Sequence, residues 1–215
     1  DSTDRPNGVQ VDRRDFLKAV GGGIVVLMCL GDESAWAQRG QRPSLPTDFN
    51  AFLRIADNGR VSLFTGKIEM GQGIVTSLAQ MLADELDVAV DLVDMVMGDT
   101  DLCPWDMGTF GSMSTRFFGP PLRAAAAEAR QVLVELAAGQ LKCPAEQLVT
   151  ENGVVHDRSD RKVSVTYAEL AKGQKIARKA SGKVALKTPD QCKIMGKPLV
   201  RQDGRAKVTG AAKYA

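Results

Sequence analysis

Apolar residues alternate with polar ones in several short stretches of the chain. Residues 52–55 and 61–64 do so on either side of a turn at residues 57–59, and this pattern is typical of a β-hairpin. A second hairpin is predicted around residues 151–153, and a further strand over residues 93–97. Strands therefore occur both early and late in the chain.

Two longer stretches repeat their apolar residues at helical spacing instead. Residues 74–86 predict a helix that buries one face and turns its polar residues, Asp84 among them, toward solvent. Residues 121–138 predict a second, alanine-rich helix that can pack closely on a sheet, with Gly139 placed to end it. The pattern indicates an α+β fold, a mixed sheet with packed helices.

The C-terminal part of the chain changes character. Residues 165–171 predict a short helix, and residues 172–187 are rich in Lys and Ala with little periodicity. Such a composition is typical of a solvated connector rather than of a basic binding patch.

The N-terminus has the pattern of an export signal. Arg13 and Arg14 form a twin-arginine pair, residues 19–30 are a short apolar run, and Ala35 and Ala37 offer small side chains for a signal peptidase. The apolar run is too short to span a bilayer, which needs about 20 residues. A buried amphipathic helix is the alternative, but the run lacks a polar face. We therefore predict a signal region over residues 1–37 and a periplasmic protein.

Composition narrows the function classes. With 44% hydrophobic residues, 25% charged residues and a formal net charge of +2, the chain can bury a core and has no strong attraction to nucleic acid. Aromatic residues make up only 5%, so base-stacking platforms would be scarce. The four cysteines form no CxxC motif, and the single histidine, His156, is predicted to lie at the surface.

The most informative segment joins a predicted strand to a predicted helix through a glycine turn. Gly71 and Gly73 flank Gln72, whose amide we expect to be buried. A helix that begins directly afterwards offers free N–H groups to an anion. Glu69 precedes the turn and is expected to close a hydrogen bond at the strand end. A purely structural turn is the alternative.

A second segment is rich in small residues and hydroxyl groups. Gly111, Ser112, Ser114 and Thr115 precede a helix opened by two prolines. Hydroxyls and exposed N–H groups can bind a phosphate or ring heteroatoms, which bulky side chains would keep away. An ordinary flexible loop has the same composition and remains the alternative.

Taken in order, these motifs resemble a known family. The series EMGQG, GDT, GSMST and LRAAAAEAR is similar to the molybdopterin-binding subunit of the xanthine dehydrogenase and aldehyde oxidase superfamily. The exported branch with isoquinoline 1-oxidoreductase or membrane aldehyde dehydrogenase beta subunits is the most similar. The resemblance implies the N-terminal portion of a molybdopterin-binding domain over residues 38–195. Residues 196–215 resemble the start of the family's hammerhead domain.

The resemblance also implies a function and a site. Members oxidise aldehydes or N-heterocycles with water as the oxygen source, and a glutamate in a downstream GxGE segment acts as the base. This chain contains no GxGE segment. By resemblance, the molybdenum cofactor, in its molybdopterin cytosine dinucleotide form, would contact the following residues: Gly71, Gln72, Gly73, Gly111, Ser112, Ser114 and Thr115.

Partners follow from the same resemblance. The remainder of the molybdopterin subunit would complete the site, and iron–sulfur clusters would reside in a 2Fe-2S small subunit, with a cytochrome c subunit as a further candidate. Membrane association would then arise through partners. We expect this chain to be part of a longer subunit or one half of a split one. Two alternatives stay open: a non-catalytic binding or assembly module with the same fold, and a periplasmic protein whose glycine turn binds another anion.

Overall fold

A computed structural model describes residues 23–28, 51–106 and 108–213. Its strands are β1 Gly23–Met28, β2 Ala51–Ile55, β3 Val61–Thr65, β4 Val93–Met97, β5 Leu148–Glu151, β6 Val154–Asp157, β7 Ser164–Thr166 and β8 Lys175–Lys179. Its α-helices are α1 Ile74–Leu86, α2 Met113–Arg116, α3 Gly119–Leu141, α4 Tyr167–Ala171 and α5 Gly204–Val208. The α+β prediction is confirmed.

The larger sheet is mixed, with strand order β4-β3-β2-β1-β8. Strands β2 and β3 form the predicted hairpin, in which Leu53 pairs with Leu63. Strand β4 lies parallel to β3, and helix α1 makes the crossover between them. Strands β5, β6 and β7 form a smaller antiparallel sheet that contains the second predicted hairpin.

Strand β1 comes from the apolar run of the predicted signal region. It pairs antiparallel with β2 and parallel with β8, and all six of its residues are buried. The alternative of a buried helix is therefore wrong, because the run contributes a strand. The twin arginines and the predicted cleavage site lie outside the described residues, so the signal and the boundary after residue 37 stay predictions.

Helices α1 and α3 cover one face of the larger sheet. Leu78 and Leu82 of α1 and Leu122 and Leu133 of α3 are fully buried in one cluster with sheet residues such as Leu53. Helix α3 does not end at Gly139 as predicted. It continues to Leu141, and Lys142 takes the left-handed cap conformation at φ 55°. Among the described residues, no helix combines the length and the apolar character that crossing a bilayer requires.

The smaller sheet corrects two further predictions. His156 is only 8% exposed rather than at the surface, because the strand β6 on which it lies is central in this sheet. Residues 164–166 form a strand, so the predicted helix begins only at Tyr167, where Thr166 and Glu169 form a capping box. The Tyr167 hydroxyl donates to the Leu86 carbonyl at 2.7 Å and joins this sheet to α1.

The prediction that Asp84 faces solvent is wrong. Asp84 is 2% exposed, and its carboxylate accepts hydrogen bonds from the backbone N–H groups of Lys193, Ile194 and Met195 at 2.8, 3.1 and 2.6 Å. A carboxylate can be buried when several donors replace its water. Asp84 therefore binds a distant segment of the chain to the side of helix α1.

The segment predicted as a solvated connector is also fastened to the fold. Residues 175–179 form the edge strand β8, and the Lys187 ammonium contacts the Asp87 carboxylate at 2.5 Å. Next to it, Glu85 is fully buried and pairs with Arg123 at 2.6 Å. These ionic contacts hold the backbone around residue 187 against α1.

Removing the Asp84 carboxylate should destabilise the domain. In Asp84→Ala, three backbone N–H groups lose their acceptor, and we expect a loss of about 2–5 kcal/mol in the free energy of unfolding. Chemical denaturation measures this loss, and proteolysis should also cut faster between residues 183 and 195. Asp101→Ala removes an exposed carboxylate and should change neither quantity. Equal stability of the two variants would contradict the assigned role.

Candidate functional site

The glycine turn has a conformation that only glycine adopts readily. Gly71 has φ 101° and Gly73 has φ 85°, in the region that side chains disfavour. The space around both residues is open: a Cβ on Gly71 would meet nothing within 4 Å, and one on Gly73 would meet only Arg201 at 3.8 Å. The glycines are thus required by backbone geometry rather than by the close approach of another group.

The Glu69 carboxylate occupies the inside of this turn. It accepts hydrogen bonds from the backbone N–H groups of Gly71 and Gly73, both at 2.8 Å, and of Val75 at 3.1 Å. The N–H groups of Gly71, Gly73 and Val75 are therefore not free for an anion, because the protein supplies its own carboxylate. These three bonds give Glu69 the structural role at the strand end that the sequence predicts.

Hydrogen bonding also sets the charge state of Glu69. Partial burial alone would raise the pKa of its carboxyl group. The N–H donors of Gly73, Val75 and Gly71, together with the nearby Arg201 guanidinium, outweigh burial and lower the pKa. Glu69 is thus held as a carboxylate, an acceptor with no proton to donate.

The Gln72 side chain is exposed rather than buried as expected. Its carbonyl oxygen accepts from the Met70 N–H at 2.5 Å, and its amide nitrogen donates to the Ile68 carbonyl at 3.0 Å. The amide oxygen can accept a second hydrogen bond and the amide nitrogen can donate a second one. Gln72 therefore stiffens the turn and still presents a donor and an acceptor at the surface.

A buried ion pair connects the turn to the second motif. The Lys67 ammonium contacts Asp106 at 2.9 Å and donates to the Gly108 carbonyl at 2.8 Å, with both charged side chains no more than 4% exposed. One residue further on, the Ile68 N–H donates to the Thr109 hydroxyl at 2.9 Å. Sequence reasoning missed this pair, although a lysine at an otherwise apolar strand end and an aspartate in the loop were visible.

The second motif places its hydroxyl groups around the short helix α2. Gly111 and Ser112 both have left-handed backbone conformations, at φ 60° and φ 56°, and turn the chain into α2. Ser114 and Thr115 follow within that helix. Within the described part of the chain, the hydroxyls of Ser112, Ser114 and Thr115 make no hydrogen bond to another protein group. Ser112 and Thr115 are exposed and available to a ligand, whereas Ser114 is only 7% exposed.

Both motifs face one groove of about 530 Å³. Its lining residues are Met70, Gln72, Ile74, Ser77, Thr109, Phe110, Gly111, Ser112, Ser114 and Thr115. The structure thus brings together five of the seven residues predicted to bind a cofactor. Gly71 and Gly73 do not line the groove and act through the shape of the turn.

The family model for the molybdopterin cofactor-binding domain matches residues 8–204 of this sequence. The chain belongs to the molybdopterin cofactor-binding domain family. It is 34% identical over 206 residues to a nicotinate dehydrogenase subunit of Pseudomonas putida, a match that covers 95% of this chain and 17% of the relative. It is 31% identical over 252 residues to the isoquinoline 1-oxidoreductase beta subunit of Brevundimonas diminuta, covering 97% and 32% respectively. The chain thus spans less than a third of the length of these relatives.

Solved structures agree with this assignment. Quinoline 2-oxidoreductase from Pseudomonas putida 86 superposes with a TM-score of 0.50 at 30% identity, over 56% of this chain and 15% of that one. The CO dehydrogenase from Oligotropha carboxidovorans has a TM-score of 0.51 at 30% identity over the same shares. The superfamily predicted from the motifs is confirmed.

The groove of the molybdopterin cofactor-binding domain suits its cofactor class in two respects. It offers hydroxyl groups without protein partners among the described residues, and these can donate to phosphate and pterin heteroatoms. Its backbone also turns through consecutive left-handed residues at Gly111 and Ser112, and both of these small, exposed residues line the groove. We infer that Gln72, Ser112, Ser114 and Thr115 are the side chains able to hold the cofactor here.

The glycine turn should loosen in acid. Because the pKa of folded Glu69 is lowered, its stabilisation is complete above the unfolded pKa of about 4.3 and is lost as the pH falls through the folded value. Amide exchange protection at Gly71, Gly73 and Val75 should therefore decline below about pH 4. In Glu69→Gln this decline should disappear, with weaker protection at all pH values. Glu146→Gln, at an exposed position, should behave as the unmodified protein does.

Proposed function

We propose that this chain supplies cofactor-binding loops to a molybdenum hydroxylase-type oxidoreductase that oxidises aldehydes or N-heterocycles with water as the oxygen source. The observation that carries the proposal is the groove in which Gln72 meets the hydroxyl-rich loop of the second motif. Relatives named for nicotinate and isoquinoline oxidation support the N-heterocycle class. Since the chain spans 17% and 32% of those relatives, the activity belongs to a larger protein.

The groove residues would divide the work of holding the cofactor. When bound, the cofactor supplies the redox chemistry, and the cytosine dinucleotide form is the one proposed. The Gln72 amide would donate and accept at its edge, and the loop of Gly111 and Ser112 would lie nearest the metal. The Ser114 and Thr115 hydroxyls would hydrogen-bond the pterin or its phosphate tail.

Further parts of the enzyme would come from outside this chain. Glu69 does not serve as the catalytic base, because its carboxylate accepts three backbone hydrogen bonds and contacts Arg201. The base would be a glutamate in the remainder of the molybdopterin subunit. Electrons would leave through a 2Fe-2S subunit, with a cytochrome c subunit as a further candidate partner.

A non-catalytic binding or assembly module is the second candidate function. Such a module would keep the groove and its hydroxyl groups but would not need a catalytic base. Reading the coding sequence next to this segment distinguishes the two. A GxGE segment that follows in frame or lies in a neighbouring subunit gene supports the oxidoreductase function. A coding region without any GxGE segment supports the non-catalytic module.

Removing single hydroxyls from the groove should weaken cofactor binding. In the assembled enzyme, Ser114→Ala and Thr115→Val each delete one donor while keeping helical geometry, so we expect a loss of roughly 1–3 kcal/mol in cofactor binding and lower turnover. Melting temperature should change little. Molybdenum content and turnover are the measurements.

Matched controls exist for both substitutions. Ser164→Ala and Thr100→Val remove exposed hydroxyls that bind no other group in the described part of the chain, so neither should alter molybdenum content. Thr115 tolerates valine better than Ser112 does, because a β-branched residue at the φ of 56° of Ser112 would strain the backbone. Full molybdenum occupancy in both groove variants would reduce the second motif to a structural loop.

We propose export through the twin-arginine route, on the basis of Arg13, Arg14 and the small residues Ala35 and Ala37. The mature chain in periplasmic extracts should begin at or near Gln38, and replacing both arginines with lysine should retain the protein in the cytoplasm. N-terminal sequencing measures this. Cleavage there would also remove β1 from the sheet, so a periplasmic chain that begins before Gly23 would contradict the processing site and support a retained strand.

A further inference from the structure

One arginine joins the glycine turn to a segment 130 residues away. The Arg201 guanidinium donates to the Gly71 carbonyl at 2.8 Å and to the Glu69 carboxylate at 3.3 Å. Arg201 therefore contacts both the backbone of the turn, at Gly71, and the Glu69 side chain that the turn surrounds. Its side chain is 39% exposed, whereas that of Glu69 is 15% exposed.

Arg201 is itself held in place. Asp203 accepts from its Nε at 2.9 Å and from its Nη2 at 2.8 Å, the paired geometry that fixes a guanidinium plane. Lys207 contacts the same carboxylate from the next turn of chain, and hydrogen bonds from Arg201 and then Lys207 lower the pKa of Asp203. A single exposed ion pair is worth little, but a guanidinium bridging two carboxylates and a carbonyl has little freedom to move.

The segment that carries Arg201 is attached along helix α1. The Gln80 amide donates to the carbonyls of Ile194 and Lys197, both at 3.0 Å, and the Gln202 N–H donates to the Thr76 hydroxyl at 3.0 Å. These contacts follow one side of α1 from its middle toward its N-terminus, where the turn lies. These hydrogen bonds fix the segment along α1 and thereby place Arg201 next to the turn.

We propose that Arg201 is a positioning residue that locks the glycine turn, and with it Gln72, in the conformation that faces the groove. It acts through Gly71 and Glu69, neither of which lines the groove. The inference deepens the proposed function and rests on it for the role of the turn. It also makes residues 196–208, predicted as the start of a separate domain, a structural part of the site.

Amide exchange in the intact chain tests the lock directly. Arg201→Gln should raise the exchange rates of the Gly71, Gly73 and Val75 amides about 5- to 30-fold, as expected for one to two lost interactions. Arg201→Lys should give a smaller increase, because one ammonium cannot bridge both acceptors. Unchanged rates in Arg201→Gln would overturn the proposal.

Two controls separate the lock from general effects. Arg205→Gln removes the same charge from the same segment at an exposed residue whose side chain makes no ion pair in the described chain, and it should leave the rates unchanged. The Leu53 and Leu63 amides report on the sheet. An equal increase in Arg205→Gln, or a parallel increase in the sheet, would overturn the proposal, since either would mean a charge effect or global unfolding.

Cofactor retention in the assembled enzyme then separates this inference from the proposed function. Faster amide exchange in the glycine turn together with loss of molybdenum in Arg201→Gln supports both the lock and the proposed function. Faster amide exchange in the turn with full molybdenum content supports the lock and refutes a role of the turn in cofactor binding. Combining Arg201→Gln with Glu69→Gln should give less than the sum of the single effects, because the two residues share one interaction.

Discussion

Buried carboxylates near the C-terminal end of helix α1 determine how the C-terminal half of the chain is arranged. Asp84 and Glu85 cannot be buried as bare charges, so each requires donors from elsewhere. Arg123 of helix α3 supplies one partner, and three consecutive backbone N–H groups around Ile194 supply the others. The segment after strand β8 is thereby bound back along α1 instead of leaving the domain.

The same principle operates at the other end of α1. Glu69 satisfies N–H groups where the helix begins, and this leaves the hydroxyl loop as the main source of donors to a ligand. The glycine turn therefore contributes shape and the Gln72 amide rather than an anion cradle. A groove built in this way divides its roles: one motif sets the geometry, and the other offers the hydrogen bonds.

Local patterns in the sequence predicted the local structure well. The two hairpins, strand β4 and helix α1 follow from periodicity and turn residues that lie within a few positions of one another. Composition indicated the hydroxyl-rich loop, since small residues and hydroxyls leave room for a ligand, and the family resemblance added Gln72. The predictions that were wrong or missing concern residues whose partners lie far away in the sequence. The burial of Asp84 needs a residue 110 positions away, and the Lys67–Asp106 pair spans 39 positions. The apolar run at the N-terminus is a different case: residues 23–28 form a buried strand, whereas the signal itself stays a prediction, and periodicity alone does not separate the two.

The parallel pairing of β1 with β8 has a consequence for biosynthesis. Gly23 pairs with Lys175, so one edge of β1 has no partner until the ribosome has made roughly 150 further residues. At about 5–20 residues per second, that delay is roughly 8–30 s. Strand β2 emerges early and can cover only the other edge. During this interval an apolar strand with open hydrogen-bonding groups can pair wrongly with neighbouring nascent chains, so β1 is a point of risk for aggregation during synthesis.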